Sequence, residues 1–510
     1  MSSGPLSLAA MRGVDWLVAA VYLAGVVAAG MWLGRRQTGA ADYFLGRRRL
    51  PWWAILLSIV AAETSAITVI SVPGIGYAGD LTFLQLAFGY LLGRIGIAWL
   101  LLPAYAKGEL QTAYQVLGTR WGPGARRASS AVFMVTRAMA DSVRIFATAI
   151  PLAVITGWSY PASIVVLGAA TLLYTYTGGL RAVVWMDVVQ LGVYLLAGAA
   201  ALVAALHLAP DAFRAAAAAG KLRVVDFGIS LTAPYAFGTA VVGGALLSAA
   251  SHGTDQLIVQ RLLATRSLGD ARRALIGSGV VVIVQFALFL VVGTAMRAAF
   301  PAARTLRGDE VFPRFITTHL SGGLAGLAVA GLLAAAMSTH ASAINSLASA
   351  TTNDYYAPLT CRSGDDVQLL RVGRVFTLLW GTILVLGALL FRQREAPVVV
   401  VALSIASLTY GPLLGAFVLA RFARVRERDA VAALLAASGL MAVVVFAAPL
   451  ASWLGGAGML VGMSRLAWPW YVPLGTALTV AAGLGLSALP ARAGARPGGA
   501  GGSARGTGGP

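Results

Sequence analysis

The sequence predicts an all-α integral membrane protein, on the basis of its composition and its apolar segments. Hydrophobic residues make up 58% of the 510 residues and charged residues only 11%, more apolar than a water-soluble core requires. Apolar segments of about 20 residues, the length that a membrane-spanning helix needs, recur along the whole chain. We count thirteen, with approximate cores at 14–34, 51–72, 82–105, 128–154, 160–177, 184–207, 233–250, 274–299, 322–350, 372–391, 397–420, 430–450 and 468–489.

The basic charge is distributed in a way that predicts the orientation in the membrane. The net charge is +19, and basic residues concentrate in alternate loops: Arg35 to Arg49, Lys107 to Arg127, Arg261 to Arg273, and Arg421 to Arg428. The other loops mix arginine with acids such as Asp211 and Glu310. Because arginine-rich loops stay in the cytoplasm, the N-terminus is predicted outside and the C-terminus inside. The charge therefore reports topology, and no nucleic-acid partner is expected.

The segments divide into units that predict an inverted repeat. Segments two to six and seven to eleven form two blocks of five, and an odd-sized block makes the second block enter the membrane with opposite orientation. We expect a leading helix at 1–34, a core at 35–421 with repeats at 51–207 and 233–421, two trailing helices at 422–490, and a Gly-rich disordered cytoplasmic tail at 491–510. The first helix of each block is expected to be interrupted, at Glu63-Thr64-Ser65 and at Gly243-Gly244, although these residues also suit close helix packing.

Hydroxyl groups are unusually dense in the ninth segment, where an apolar run leads into residues 334–353. Ser338 and Ser342 share one helical face, and Thr339 lies beside them. Lipid offers no hydrogen bonds, so these hydroxyls must face a protein interior or a wet path. Oxygen ligands suit a hard cation such as Na⁺. Small residues that permit close helix packing are the alternative interpretation.

Four stretches of the chain resemble the sodium:solute symporter family, and the resemblance extends over nearly the whole length. They are Asp42-Tyr43-Phe44-Leu45-Gly46 with Pro51-Trp52-Trp53, the stretch Thr177 to Val183 leading to Asp187 and Gln190, Gly253-Thr254-Asp255-Gln256 with Val259-Gln260-Arg261, and the Ser/Thr-rich ninth segment ending Asn353-Asp354-Tyr355. The resemblance implies the five-plus-five inverted-repeat fold of a bacterial leucine transporter and Na⁺-driven uptake.

The resemblance also implies positions for the ion. The sodium ligands would be the carbonyl groups of Ala61, Thr64 and Ala335 and the hydroxyls of Ser338 and Thr339. A candidate second sodium would use Ser338, Ser342 and Asp187, but Ala341 stands where a further hydroxyl is wanted. An acid at a helix N-terminus explains Asp187 equally well.

Charges inside the predicted spans supply the substrate and gate candidates. Glu63 and Ser65 at the first break and Arg137 on the fourth segment are the predicted substrate residues, because a buried charge is costly unless it is paired or functional. An ion-pair ladder of Arg137, Asp141 and Arg144 is the alternative. Asp255 and Arg261 are interpreted as a gate or a loop brace at a cytoplasmic helix end. His340 is expected to hydrogen-bond within the bundle.

The combined expectation is a Na⁺-coupled symporter in the plasma membrane that imports a small organic solute, an organic acid or a zwitterion. Its partners would be sodium, the solute and membrane lipid, and one monomer would be sufficient. No organic cofactor, no metal other than sodium and no enzymatic activity are expected, because the sequence has no metal-ligand spacing and no phosphate loop. The alternative is a membrane sensor or receptor, which would need a further module where only a short Gly/Arg tail follows Leu489.

Overall fold

The computed structural model describes residues 11–489 except 36, 321, 362–363, 392–397 and 455–457, so the predicted tail at 491–510 lies outside the described residues. The described part is helical, and its β-structure is limited to an isolated bridge between Leu50 and Thr265. The main helices are α1 Gly13–Leu33, α2 Trp52–Glu63, α3 Ala66–Ala78, α4 Leu84–Leu100, α5 Pro123–Thr156, α6 Tyr160–Leu208, α7 Phe237–Gly253, α8 Gln256–Leu263, α9 Leu268–Ala299, α10 Gly308–His319, α11 Leu324–Ala350, α12 Asp366–Leu390, α13 Val398–Leu419, α14 Glu427–Val445 and α15 Tyr471–Ala488.

Many of these helices are suited to a bilayer, as the composition predicts. Within the described residues, seven helices are long and apolar enough to cross a membrane, and the bent pair α2–α3 makes an eighth. Helix α6 bends at Gly179, whose φ of 53° lies in the left-handed region that favours glycine, and the bend falls between two of the predicted segments. The all-α membrane fold is therefore confirmed, and the count of thirteen spans stays a prediction.

Two helices are interrupted, one near the start of each predicted repeat. Helices α2 and α3 meet at Thr64 and Ser65 with a bend of 70°, as the polar residues there predict. In the second repeat, α7 continues through Gly243 and Gly244, and the interruption comes at Thr254 and Asp255, between α7 and α8. The expected break at the glycine pair is wrong.

The two glycines instead allow close packing. A Cβ on Gly243 would lie 2.4 Å from Cβ of Pro469, and one on Gly244 would lie 2.7 Å from the carbonyl oxygen of Leu86 on α4. Both positions therefore let another part of the chain approach the helix backbone, which is the packing role that small residues commonly play in membrane bundles.

Helix α11 forms the centre of the bundle. Nearly all of its residues are buried, and it packs against α6, α1, α5 and α12. The hydroxyl-rich residues 338–349 are thus inside the protein and away from lipid, as the sequence requires. The broken pair α2–α3 also contacts α11, so the interruption of one helix lies against the polar face of the other.

Candidate functional site

The first region of interest lies where the break between α2 and α3 meets α11. The Thr339 hydroxyl oxygen is 3.3 Å from the carbonyl oxygen of Ala62, 3.4 Å from that of Thr64 and 3.2 Å from that of Ala335. Carbonyl groups at a helix break are released from helical hydrogen bonding and become available to a cation. Three of the five predicted sodium ligands, Thr64, Ala335 and Thr339, therefore come together, with the Ala62 carbonyl as an addition that the sequence did not predict.

The two other predicted ligands border the same region. Ala61 is fully buried near the end of α2. The Ser338 hydroxyl donates to Oδ1 of Asp187 at 2.5 Å, which leaves the lone pairs of the serine oxygen free. The break itself is fixed by Gln285 on α9, whose Nε2 donates to the Thr64 hydroxyl oxygen at 2.7 Å. The side chain of Thr64 is thus occupied, and its carbonyl is the group presented to Thr339.

Asp187 lies in a buried cluster that contains a cation of the protein itself. Nη2 of Arg261 donates to Oδ2 of Asp187 at 2.9 Å, and the Ser58 hydroxyl donates to the same oxygen at 2.5 Å. Nη2 of Arg261 also donates to the Ser342 hydroxyl, which in turn donates to the carbonyl oxygen of Ser338 at 2.7 Å. The residues predicted to hold a second sodium therefore surround a guanidinium group.

Asp255 and Arg261 do not form one brace, contrary to the interpretation from sequence. Arg261 pairs with Asp187, whereas Oδ2 of Asp255 accepts from Nη1 of Arg137 at 3.0 Å and from the Tyr410 hydroxyl at 2.8 Å. Asp255 also caps α8 by accepting from the backbone N–H of Leu257. The sequence placed Asp255 at a cytoplasmic helix end because it did not predict the helix break at this residue.

A cavity of about 210 Å³ opens beside the two helix breaks. All three predicted substrate residues, Glu63, Ser65 and Arg137, line it, together with Asp255. Its walls are largely apolar and include the aromatic side chains of Phe83, Tyr90, Tyr235, Phe286, Tyr410 and Trp468. A cleft with largely apolar walls and a small number of polar groups is typical of a site for a small organic molecule.

Glu63 has a partner from within the protein. Nη2 of the fully buried Arg94 on α4 donates to Oε2 of Glu63, and Nε2 of His252 lies 3.4 Å from the same oxygen. Arg94 is further held by the Ser278 hydroxyl, which accepts from Nη1 at 2.6 Å. Arg94 was not predicted from the sequence, although a charge inside the apolar segment 82–105 was a signal that could have identified it as functional.

Arg137 is likewise paired. Its Nε donates to Oδ2 of Asp141 at 2.5 Å and its Nη1 to Asp255, so two carboxylates hold one guanidinium. Nη1 of Arg144 donates to Oδ1 of Asp141 at 3.1 Å, which completes the ladder that the sequence offered as an alternative. Glu63 and Arg137 therefore reach the cavity as members of ion pairs.

The polar residues of the cavity and the broken helices can be compared with known proteins. Residues 43–437 match the model of the sodium:solute symporter family. The chain belongs to the sodium:solute symporter family. It is 27% identical to a sodium/sialic acid symporter of Aliivibrio fischeri over 85% of this chain and 87% of the relative. It is 29% identical to the sodium/iodide cotransporter of Homo sapiens over 80% of this chain and 66% of the relative, and 27% identical to sodium-coupled monocarboxylate transporter 1 of Homo sapiens over 79% and 68%.

Solved structures support the same family. A Na⁺-coupled sialic acid symporter, in a substrate-bound outward-open state, matches with a TM-score of 0.82 and 25% identity over 94% of this chain and 98% of that one. A nucleobase-cation-symport-1 family transporter matches with a TM-score of 0.51 and 14% identity over 87% and 94%, which speaks to the fold alone. The predicted leucine-transporter-like fold is confirmed. The symporter is a multi-pass membrane transporter that couples a solute to Na⁺, and it is not an enzyme.

Proposed function

We propose that this symporter imports a small organic acid or zwitterion together with Na⁺ by alternating access. The observation that carries the proposal is the position of the Thr339 hydroxyl among three carbonyl oxygens, at a helix break that also borders the cavity. An ion and a solute bound on either side of one short break stabilise the same arrangement of α2, α3 and α11. This shared arrangement supplies the coupling between their binding.

The Na⁺ site consists of the carbonyl groups of Ala61, Thr64 and Ala335 and the hydroxyls of Ser338 and Thr339. A neutral set of oxygen ligands replaces much of the hydration of a monovalent ion without holding it too tightly for release. The Ala62 carbonyl is an alternative to that of Ala61 as a ligand, since its oxygen lies 3.3 Å from the Thr339 hydroxyl oxygen.

The position of a second sodium is taken by Arg261. Both oxygens of Asp187 already accept hydrogen bonds, and the Ser342 hydroxyl is bonded on both sides. A guanidinium that occupies this cluster supplies the positive charge that a second ion would bring. We therefore expect one Na⁺ per transport cycle.

The nature of the solute is supported by the names of the relatives and by the cavity. Sialic acid, iodide and monocarboxylates, which the relatives are named for, are anions or acids. Ser65 lies at the cavity with its hydroxyl free of hydrogen bonds among the described residues and is a direct contact for the solute. Glu63 and Arg137 act there through their ion pairs with Arg94, Asp141 and Asp255, which set the shape and charge of the wall.

The charges and apolar side chains on the surface of the protein support its orientation in the membrane and its contact with lipid. The protein lies in the plasma membrane. Its arginine-rich loops favour an orientation with the N-terminus outside the cell and the C-terminus in the cytoplasm. In that orientation Phe83 and Tyr235, which line the cavity at the starts of α4 and α7, lie on its outer side. Exposed apolar side chains such as Leu17 on α1 and Val203 on α6 meet lipid. A single chain supplies the whole site, so one copy is sufficient.

Removing one of the two side-chain hydroxyls tests the proposed Na⁺ site. Ser338→Ala and Thr339→Ala should each raise the Na⁺ concentration for half-maximal uptake on the order of tenfold, because each removes one ligand from a small cage. The measurement is uptake of a panel of labelled acids and zwitterions into proteoliposomes under an imposed Na⁺ gradient. Thr339→Ser keeps the hydroxyl and serves as the matched control. Unchanged Na⁺ dependence in both alanine variants would place the ion elsewhere.

A further inference from the structure

A second cavity, the arginine cavity, has a volume of about 180 Å³ and lies apart from the cavity proposed for the solute. Its lining comes from three parts of the chain: Arg48 in the loop before α2, residues within 102–106 after α4, and residues within 262–271 at the end of α8 and the start of α9. Arg48 and Arg266 are its charged residues, and no acid is among the described residues that line it. The cavity therefore carries positive charge that its own walls do not neutralise.

Both arginines have guanidinium nitrogens that are free to bind a ligand. Nη2 of Arg48 donates to the carbonyl oxygen of Leu110 at 2.5 Å, and Nε of Arg266 donates to that of Arg49 at 3.2 Å. The two other nitrogens of each guanidinium have no hydrogen-bond partner in the described part of the chain. The contacts with carbonyl groups fix the direction of each side chain and leave its charge in place.

Two acids lie near the arginine cavity but do not neutralise it. Glu109 acts on Arg48 at a longer range than an ion pair. Asp270, at the start of α9, does not line the cavity, and its Oδ1 lies 3.8 Å from Nη1 of Arg273. The negative charge that would complement the two lining arginines must therefore come from a ligand.

The backbone that carries Arg48 is held in an unfavourable conformation. Arg47 and Arg48 have φ angles of 55° and 54°, in the left-handed region that residues other than glycine rarely adopt. Such a conformation persists where the surrounding structure imposes it, and it is frequent at ligand sites. Here the amide N–H of Leu50 donates to the carbonyl oxygen of Ala264 at 3.2 Å, which ties this loop to the connection between α8 and α9. The fold thus maintains Arg48 on the same cavity as Arg266 despite the strain.

The arginine cavity lies at the level of the membrane surface. Its lining residues directly follow α4, which ends at Leu100, and begin α9, which is long and apolar enough to cross a membrane. Trp99 is 61% exposed, and the guanidinium carbon of Arg272 on α9 lies 4.0 Å from the centroid of its ring. Tryptophan and arginine side chains at helix ends are typical of the interface between lipid and water. A ligand in this cavity is therefore at the depth of lipid headgroups.

We propose that the arginine cavity binds the phosphate group of an anionic phospholipid. Arginine suits phosphate because its planar guanidinium donates two parallel hydrogen bonds to two oxygens. A zwitterionic lipid also brings a cation, which Arg48 and Arg266 repel, so an anionic lipid is favoured. Basic pockets between membrane helices are a known means of holding anionic headgroups.

One face of α4 offers a path for the acyl chains of this lipid. Leu92, Ile95 and Trp99 are exposed and recur at the spacing that places side chains on one face of a helix. This face ends beside the arginine cavity, because the lining residues within 102–106 come directly after α4. A dissolved phosphate ion makes no use of such a surface, so the arrangement favours a lipid as the source of the phosphate.

The test measures lipid binding to the purified, delipidated full-length protein in detergent. The probe is phosphatidylglycerol with a pyrene-labelled acyl chain, which is excited by energy transfer from tryptophans such as Trp99. Unlabelled phosphatidylglycerol, phosphatidylcholine and sodium phosphate are titrated as competitors. We expect phosphatidylglycerol to displace the probe at a concentration at least about tenfold below that of phosphatidylcholine, and sodium phosphate not to displace it at about a hundredfold excess.

Three variants locate the binding site. Arg48→Gln combined with Arg266→Gln should weaken phosphatidylglycerol binding about tenfold or more, to the level of phosphatidylcholine. Arg266→Gln alone alters an exposed side chain and should weaken it several-fold, which keeps the test decisive if the double variant does not fold. Arg371→Gln combined with Arg424→Gln removes the same charge at two exposed positions outside the cavity and should change nothing.

The outcomes decide between this site, a general effect of charge and a dissolved ion. The site is overturned if both lipids compete equally, if both variants of the cavity keep the preference for phosphatidylglycerol, or if the control variant loses that preference to the same extent. Displacement by sodium phosphate at the same concentration as phosphatidylglycerol would make the ligand a dissolved phosphate and overturn the lipid. The assay contains neither Na⁺-driven uptake nor solute, so none of these results affects the proposed symport.

Discussion

At the scale of single residues, the buried charges of this symporter are satisfied by partners far away in the chain. Glu63 pairs with Arg94, Asp187 with Arg261 and Asp354 with Arg126, over separations of 31, 74 and 228 residues. Of these residues, only Glu63 was identified from the sequence as a costly charge at membrane depth, and the pairing of all six depends on which helices meet. An ion pair of this kind contributes little net stability when intact, and removing one partner leaves an uncompensated charge.

Arg261→Gln is predicted to change how the symporter uses Na⁺. Without the guanidinium, the buried carboxylate of Asp187 is left with the hydroxyls of Ser338, Ser342 and Ser58, a set of ligands that suits a monovalent cation. We expect the Hill coefficient for Na⁺ in uptake to rise from about 1 toward about 2 as a second ion enters. The measurement is a Na⁺ titration of solute uptake into proteoliposomes at fixed membrane potential.

Two further variants serve as controls for that titration. Arg261→Gln combined with Asp187→Asn removes the whole ion pair, and it should return the Hill coefficient to about 1. Arg371→Gln removes an exposed arginine near the start of α12 and should have no effect. An identical Na⁺ curve for Arg261→Gln and the wild type would contradict the view that Arg261 occupies a cation position.

At the scale of helices, a pair of polar residues and a pair of glycines differ in whether they interrupt the helix. The polar residues Thr64-Ser65 and Thr254-Asp255 interrupt helices, whereas Gly243-Gly244 lies inside a continuous one. Freed backbone groups at a break need partners, and side chains such as Asp255 supply one by accepting from Leu257. Glycine alone supplies none, but it lets a neighbouring backbone come close.

Gly243→Ala is predicted to destabilise the symporter. The new methyl group would lie 2.6 Å from the carbonyl oxygen of Pro469, so α7 and the segment before α15 must separate. We expect a loss of about 1–3 kcal/mol, typical of overpacking in a close contact. Gly192→Ala on α6, where nothing lies within 4 Å, is the matched control and should be neutral or stabilising by up to ~1 kcal/mol. Thermal unfolding in detergent measures both, and equal melting temperatures would contradict the packing role.

The extent to which sequence predicts this site has a physical limit. The hydroxyls of α11 and the break at Thr64 were predictable, because lipid excludes unpaired polar groups and because the motifs resemble a known family. The break at Asp255 was not predicted, although a polar pair like that at Thr64-Ser65 marks it. The partner of Glu63 and the lack of a hydrogen-bond partner for either ring nitrogen of His340 among the described residues were not predictable. Each depends on the distance between helices that are remote in sequence, and no local pattern encodes that distance.

At the scale of the whole molecule, a polar cluster around Asp354 joins helices at the end of α11. Asp354, just beyond the end of α11, accepts from the Thr112 hydroxyl at 2.6 Å, from Nε of Arg126 at 2.7 Å and from the Ser130 hydroxyl at 2.9 Å. These contacts tie α11 to the start of α5 and to the loop before it. In the orientation that the arginine distribution predicts, this cluster would lie on the cytoplasmic side, and we expect it to close the inward path while the cavity faces outward.

Asp354→Asn is predicted to shift the symporter toward an inward-facing state, because the cluster loses its charge-assisted hydrogen bonds and no contact of the outer half is altered.

Thr68→Cys in a Cys361→Ser background reports the state, since Thr68 lines the cavity and Cys361 is the free, exposed cysteine of the chain. A membrane-impermeant thiol reagent should label Thr68→Cys from the outside, and Asp354→Asn should slow that labelling on the order of tenfold and speed labelling from the cytoplasmic side. Asp270→Asn, which removes an acid near the start of α9 and outside the cluster, should leave both rates unchanged. Equal rates with and without Asp354→Asn would show that the cluster does not hold the inward path closed, and labelling of Thr68→Cys only from the cytoplasmic side would reverse the orientation of the whole bundle.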